Sequence, residues 1–211
     1  MRCTVLITGF GPFPGAPFNP TERLVQRLGR RRRPALAEVE RITHVFRTSY
    51  AAVDAELPWL IARHHPGVLL MFGLAARAPH MRIETRARNA VSLLVPDAGG
   101  RMLRRTDIRP GAAASLAGRA PFQTLVRAAR ATRVPARLSC DAGSYLCNYV
   151  YWRGIEATSR NRPAPVVAFV HVPAVGRASR RRGARRAPTL NDVARAGEAI
   201  LLALVSAART R

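Results

Sequence analysis

Four apolar-rich runs, at 4–9, 42–47, 68–73 and 166–172, constrain this chain more than any other feature. A strand with one wet face alternates apolar and polar side chains, whereas a strand covered on both faces stays apolar throughout. Runs of this kind predict buried strands in a mostly parallel sheet. The segments between them supply helices. One opens at Asn19-Pro20-Thr21-Glu22 and carries Leu24, Val25 and Leu28 to a stop at Gly29. A second covers 51–64, with Val53, Leu57, Leu60 and Ile61 at helical spacing, and others are read at 121–130 and 145–157. The last covers 190–207, where Thr189 and Asp192 have the spacing of a weak capping box. Strand and helix alternate from end to end without a repeat. The expectation is an α/β fold: a single domain over residues 1–211, with an open, mostly parallel, twisted sheet and helices on both faces. The Pro/Gly/Arg stretch 173–188 reads as a loop inside that domain.

A chain of 211 residues buries about 70% of its extended surface on folding, so its core needs no covalent staple. Cys3, Cys140 and Cys147 are odd in number and irregular in spacing, with no CxxC pair. Neither a zinc cage nor a disulfide framework is readable, and a reduced, cytoplasmic compartment is the default. The N-terminus is broken too early by Gly9 for a signal peptide. The longest apolar stretch, 199–208, falls short of the roughly 20 residues that span a bilayer. Secretion and membrane insertion are therefore disfavoured.

The charge balance is unusual: 35 basic against 12 acidic residues, net +23, and every basic residue is Arg. A nucleic-acid binder would gather those Arg on one face. A membrane-surface protein would line them along an amphipathic helix. GC-rich coding, which enriches Arg and Ala but not Lys, explains the same numbers without a partner, and the abundant Ala agrees with it. The run Arg30-Arg31-Arg32-Arg33 and the tract 177–186 are bounded by Gly and Pro and lack interleaved aromatic residues. Both read as solvated loops, and a nucleic-acid partner is disfavoured.

In an open α/β sheet, ligands sit beyond the carboxyl ends of the strands. The first run ends in Gly9-Phe10-Gly11-Pro12-Phe13-Pro14-Gly15, which is not GxGxxG and has no acidic residue placed for a ribose. A dinucleotide is disfavoured; Phe10 and Phe13 either line a small flat pocket or fill the core. The last run leads into His171-Val172-Pro173, where the imidazole is either placed for catalysis or a satisfied structural group. His44, His64, His65 and His80 show no ligand spacing. The segment Asp141-Ala142-Gly143-Ser144-Tyr145-Leu146-Cys147-Asn148 is the most informative. Its Gly suits a tight turn, and the helical pattern of Leu146, Val150 and Ile155 begins there. Cys147 then falls in a first helical turn, where unpaired N–H groups and the helix dipole favour a thiolate. A cysteine nucleophile needs that setting and a histidine to carry protons. The alternative is a small buried hydrophobe.

Five motifs in order resemble the pyroglutamyl peptidases of type I, or pyrrolidone-carboxylate peptidases, over nearly the whole chain. Thr8-Gly9-Phe10-Gly11-Pro12-Phe13 with Asn19-Pro20-Thr21 resembles the family's TGFxPF and NPS opening. The stretch Pro66-Gly67-Val68-Leu69-Leu70-Met71-Phe72-Gly73 resembles the strand before its GQAGGR loop. Glu84-Thr85-Arg86-Ala87-Arg88-Asn89 is similar to ERxAxN, Ala142 to Asn148 to AGxxxCN, and Phe169-Val170-His171-Val172-Pro173 to FxHVP. The resemblance implies a cysteine exopeptidase (omega peptidase) that hydrolyses the amide after an N-terminal pyroglutamyl residue of small peptides. It implies Cys147 as nucleophile, His171 as proton carrier and Glu84 as its orienting acid. Phe10, Phe13, Asn19 and Tyr145 are the implied substrate-binding residues. No metal or cofactor is implied, and relatives that assemble as tetramers imply a homo-oligomer. Departures are visible: Leu74 replaces the Gln after the strand, Ala76-Arg77-Ala78 replaces Gly-Gly-Arg, Gly11 replaces an acidic residue, and Pro14 replaces a Gly. Ser92 and Leu94 stand where polar or charged residues are usual. The competing readings are a diverged or inactive member acting on another lactam or amide, and an Arg-rich polyanion binder on the same fold.

Overall fold

In the computed structural model, which describes residues 3–13, 16–161, 163–176 and 187–210, strand and helix alternate over 3–75 and again over 122–209. Between 68 and 117 four strands follow one another without a helix, so the alternation does not run from end to end. Strand β1 (Cys3–Phe10), helix α1 (Pro20–Arg30), β2 (Val39–Phe46), α2 (Tyr50–His64) and β3 (Val68–Ala75) follow one another as expected. Then come β4 (Met81–Glu84), β5 (Arg86–Arg88), β6 (Ser115–Ala117), α3 (Phe122–Ala131) and β7 (Ala136–Ser139). Helix α4 (Leu146–Ala157), β8 (Val166–Pro173) and α5 (Leu190–Arg209) complete the chain order.

The main sheet runs β2-β1-β3-β8-β4-β7. Its first four strands are parallel; β4 joins β8 antiparallel and pairs with β7 in parallel. Strands β5 and β6 form a separate antiparallel pair. Helices cover both faces, as the unbroken apolar runs require. Ile7, Leu70, Phe72 and Val170 pack with α1, α3 and α5, while Leu6, Leu69, Met71 and Phe169 pack with α2 and α4. Among the described residues, no helix is long and apolar enough to cross a membrane, and no cluster of three or more His, Cys, Asp or Glu could hold a metal.

Local chemistry sets the boundaries. Asn19 caps α1, its side-chain oxygen accepting from the Thr21 N–H at 3.1 Å, with Pro20 behind it. Gly29 does not stop that helix, which runs on to Arg30. A Cβ at Gly29 would lie 2.5 Å from Thr43 Cγ2, so close packing on β2 explains the glycine instead. The Thr189/Asp192 capping box forms in full and starts α5. The strands β4 and β7 were not anticipated. They are four residues each and carry charged or polar side chains, as befits the end of a sheet. The Arg tract 177–186 lies outside the described residues.

Candidate active site

Strand alternation assembles the site. In β4, Arg82 and Glu84 are two apart and share a face. Across the antiparallel pairing Arg82 lies opposite His171, and Glu84 opposite Phe169. Phe169 belongs to the layer packed under α2 and α4, so His171 and Glu84 face the same layer. Helix α4 crosses this face and presents Cys147 from its second residue. On the other side of His171, β3 places Gly73 in register. A Cβ at Gly73 would come within 2.6 Å of Cys147 Sγ and 2.7 Å of the Phe169 ring. The sulfur occupies the space that a side chain at 73 would need.

His171 Nδ1 is 2.8 Å from Glu84 Oε1. With a carboxylate accepting, Nδ1 carries the proton, and the other ring nitrogen is left for the thiol. The Cys147 sulfur lies close enough to His171 to act on its proton affinity. Burial alone would lower its proton affinity, but the Cys147 sulfur and the Glu84 carboxylate override that and raise it from 6.5 to about 9. The arrangement therefore favours an imidazolium beside the sulfur. Glu84 is fully buried, and the Tyr151 hydroxyl donates to its backbone oxygen at 2.9 Å. The α4 N-cap is Tyr145, whose side chain makes no capping bond. The N–H groups of that first turn, Cys147's included, have no acceptor within the helix.

The approach to α4 is fixed by its neighbours. Gly143 takes φ +85°, and its N–H donates to Asp141 Oδ1 at 2.9 Å. Asn148 is buried and clamps the chain after Glu84: its side chain accepts from Arg88 N at 2.8 Å and donates to the Arg88 and Ala90 oxygens at 2.8 and 2.9 Å.

The four residues expected to touch substrate divide in two. Phe13 and Tyr145 are half-buried, with ring centroids 6.4 Å apart beside the start of α4. The Tyr145 hydroxyl is held by the Pro96 oxygen at 2.9 Å. Phe10, by contrast, is buried against Phe46 in the core. Asn19 is buried too, and its amide is spent: it accepts from Thr21 N and Oγ1 and donates to the Gly11 oxygen at 3.1 Å. Phe10 and Asn19 thus shape the loop from behind. Sequence reasoning assigned no role to Gly73, Arg82 or Tyr151. The period-2 pattern in Arg82-Ile83-Glu84 was the available signal, but the strand itself was too short to recognise.

The profile of the pyroglutamyl peptidase family matches residues 3–210. This chain belongs to that family. It is 31% identical over 172 residues to the pyrrolidone-carboxylate peptidase of Deinococcus radiodurans, covering 81% of this chain and 78% of the relative. To the Bacillus subtilis pyrrolidone-carboxylate peptidase it is 31% identical over 174 residues, covering 82% and 79%. The solved pyrrolidone carboxyl peptidase of Thermococcus litoralis superposes with a TM-score of 0.86 at 25% identity, over 100% of this chain and 97% of that one.

Against the pyroglutamyl peptidase pattern, the departures fall in three places. Leu74 and Ala75 end β3 opposite Val172 and Pro173, one step past the Gly73–His171 register, and Ala76 to Ala78 turn away from there. A Cβ at Gly11 would meet nothing closer than 3.7 Å, so packing does not demand glycine at that position. Ser92 N donates to Ser144 O at 2.6 Å, tying its loop to the α4 approach, and Leu94 is 88% exposed. Pro14 lies outside the described residues.

Proposed function

We propose that this chain is a cysteine omega peptidase that hydrolyses the amide bond after an N-terminal pyroglutamyl residue of small peptides. One observation carries the reading: Cys147 stands in the first turn of a helix beside a buried His171 that Glu84 holds at 2.8 Å. Cys147 Sγ attacks the pyroglutamyl carbonyl carbon, and the oxyanion that forms is met by the Cys147 N–H. The tetrahedral centre collapses, the C–N bond breaks, and the imidazolium of His171 gives its proton to the leaving amine. His171 then removes a proton from water, which attacks the thioester and releases pyroglutamate and the thiolate. Glu84 keeps the imidazole oriented and balances its charge throughout. Phe13 and Tyr145 offer a flat aromatic slot to the neutral lactam, with Phe10 and Asn19 fixing the loop that carries Phe13. The reaction so written calls on neither metal nor cofactor. The reading extends to one catalytic domain acting in the cytoplasm as a homo-oligomer.

The test compares hydrolysis of pyroglutamyl aminomethylcoumarin with that of the prolyl amide. Cleavage of the first alone, abolished by Cys147→Ala, is expected. Iodoacetamide near neutral pH should also modify half-buried Cys147 far faster than exposed Cys140. If the wild type is inert on the pyroglutamyl amide while Cys147 remains hyper-reactive, the chain has diverged to another lactam or amide. Leu74→Gln with Ala76→Gly and Arg77→Gly would then restore the pyroglutamyl activity.

A further inference from the structure

We infer that Arg82 is a positioning residue that ties the Glu84 carboxylate to the turn from which the Cys147 helix starts. The inference rests on the reading above, in which Glu84, His171 and Cys147 act as one unit.

Arg82 projects onto the same sheet face as Glu84 and sits in register opposite His171. Its Nε lies 3.2 Å from Glu84 Oε1, the same oxygen that meets His171. The guanidinium then reaches the other way. Its Nε and Nη2 donate to Ser139 Oγ at 3.2 and 2.7 Å, and Nη2 also donates to the Asp141 backbone oxygen. Asp141 in turn fixes Gly143, the left-handed residue just before α4. One planar group thus spans from the carboxylate that orients the base to the turn that aims the nucleophile. The other carboxylate oxygen, Oε2, is buried with no hydrogen-bond partner among the described residues, so Oε1 bears the restraint.

Charge alone does not explain this contact. The Arg82 side chain is 31% exposed while Glu84 is fully buried, so Arg82 is a counter-charge to a buried carboxylate as well as a tether. The planar guanidinium fixes Ser139 and the Asp141 oxygen through its hydrogen bonds. It meets Glu84 as an ion pair, since the single Nε hydrogen goes to Ser139. A flexible ammonium would not hold the three in one geometry. Arg86 and Arg88 provide the contrast. They reach the same turn at the Cys140 oxygen and the Asp141 carboxylate, but their recorded bonds run to the turn and not to Glu84. The charged and titratable groups around His171 are Glu84 and Arg82 from β4 and Cys147 and Tyr151 from α4, while β3 sets Gly73 opposite it.

The experiment compares Arg82→Met, Arg82→Lys and the control Arg86→Met in the full chain. It measures kcat and KM on the pyroglutamyl amide, and the pH profile of Cys147 alkylation by intact-protein mass spectrometry. Arg82→Met should lower kcat roughly tenfold to a hundredfold with KM within about twofold, because the reacting groups are misplaced while binding is kept. It should also displace the alkylation profile, since the carboxylate loses the cation it shares with the imidazolium. Arg82→Lys should return the profile towards the wild type and recover turnover only in part. Arg86→Met should match the wild type in both. Wild-type kcat and an unmoved profile in Arg82→Met, or equal losses in Arg86→Met, would overturn the assignment. Should Arg82→Met fail to fold, full turnover in Arg82→Lys overturns it instead. A wild type that leaves the pyroglutamyl amide intact would sink the functional reading, and the alkylation profiles would still decide the role of Arg82.

Discussion

His171 keeps its proton only because two neighbours outweigh its burial, and that fixes the pH behaviour of the site. Its affinity is raised from 6.5 to about 9 in the folded chain, so the imidazolium's contribution to stability is full below about pH 6.5 and is lost as pH rises through about 9. The alkaline limb of kcat/KM should therefore fall near pH 9, where the leaving amine loses its proton donor. Glu84→Gln keeps a hydrogen-bonding group but removes the charge. It should retain measurable turnover and move that limb to lower pH, whereas an unmoved limb would mean that Glu84 does not hold the imidazolium. Gly73 makes a second prediction at this scale. Gly73→Ala puts a methyl 2.6 Å from Cys147 Sγ and 2.7 Å from the Phe169 ring, so the sulfur or the ring must move. A loss of kcat/KM on the order of a hundredfold is expected for a nucleophile displaced in this way. Wild-type activity in Gly73→Ala would show that Cys147 is not the reacting group. In the sequence Cys147 and His171 stand out as candidates by their places at a helix start and a strand end, while Glu84 is implied only by the resemblance to the family's ERxAxN stretch. Gly73 and Arg82 matter through atoms brought close only by strand register, and the one local trace of this is the period-2 spacing of Arg82 and Glu84.

At the scale of elements, the signals that survived were those with a local cause. An unbroken apolar run means a strand covered on both faces, and the runs at 4–9, 68–73 and 166–172 became such strands. The run at 42–47 instead became the edge strand β2, buried only at Val39 and Phe46 and ending before Arg47. The capping box at Thr189 was equally legible, since its bonds join residues three apart. Thr189→Ala should lower the unfolding free energy by about 1 kcal/mol and leave kcat/KM unchanged. Urea denaturation monitored by circular dichroism reads the first and the coumarin assay the second. A drop in activity without a drop in stability would place the start of α5 in the site. What the sequence hid was non-local. Met81-Arg82-Ile83-Glu84 and Ala136-Arg137-Leu138-Ser139 are short, and their half-polar pattern makes sense only once β8 lies beside the first and the first beside the second. Gly29 was misread for the same reason: its requirement comes from Thr43 on another element, and not from the end of its own helix.

For the whole molecule, the governing quantity is the net charge of +23 set against a neutral substrate. Glu198 shows how little of the basic excess is compensated internally: it is buried at the edge of α5 and already shared between Arg31 and Arg33. With 35 Arg and only 12 acidic residues, most of the charge repels itself through solvent. Salt shortens the reach of that repulsion, from about 10 Å at 0.1 M to about 3 Å at 1 M. Added sodium chloride should therefore raise the Tm. The Glu84–His171 pair is buried and short, so the same salt should leave kcat for pyroglutamyl aminomethylcoumarin nearly constant. The field acts on charged ligands during approach, which makes peptide charge the discriminating variable. For a pyroglutamyl peptide that continues with Asp or Glu, kcat/KM should fall as salt rises, while a neutral peptide of equal length stays flat. If both peptides respond alike, the Arg excess does not steer substrate to Cys147 and acts on the stability of the fold alone.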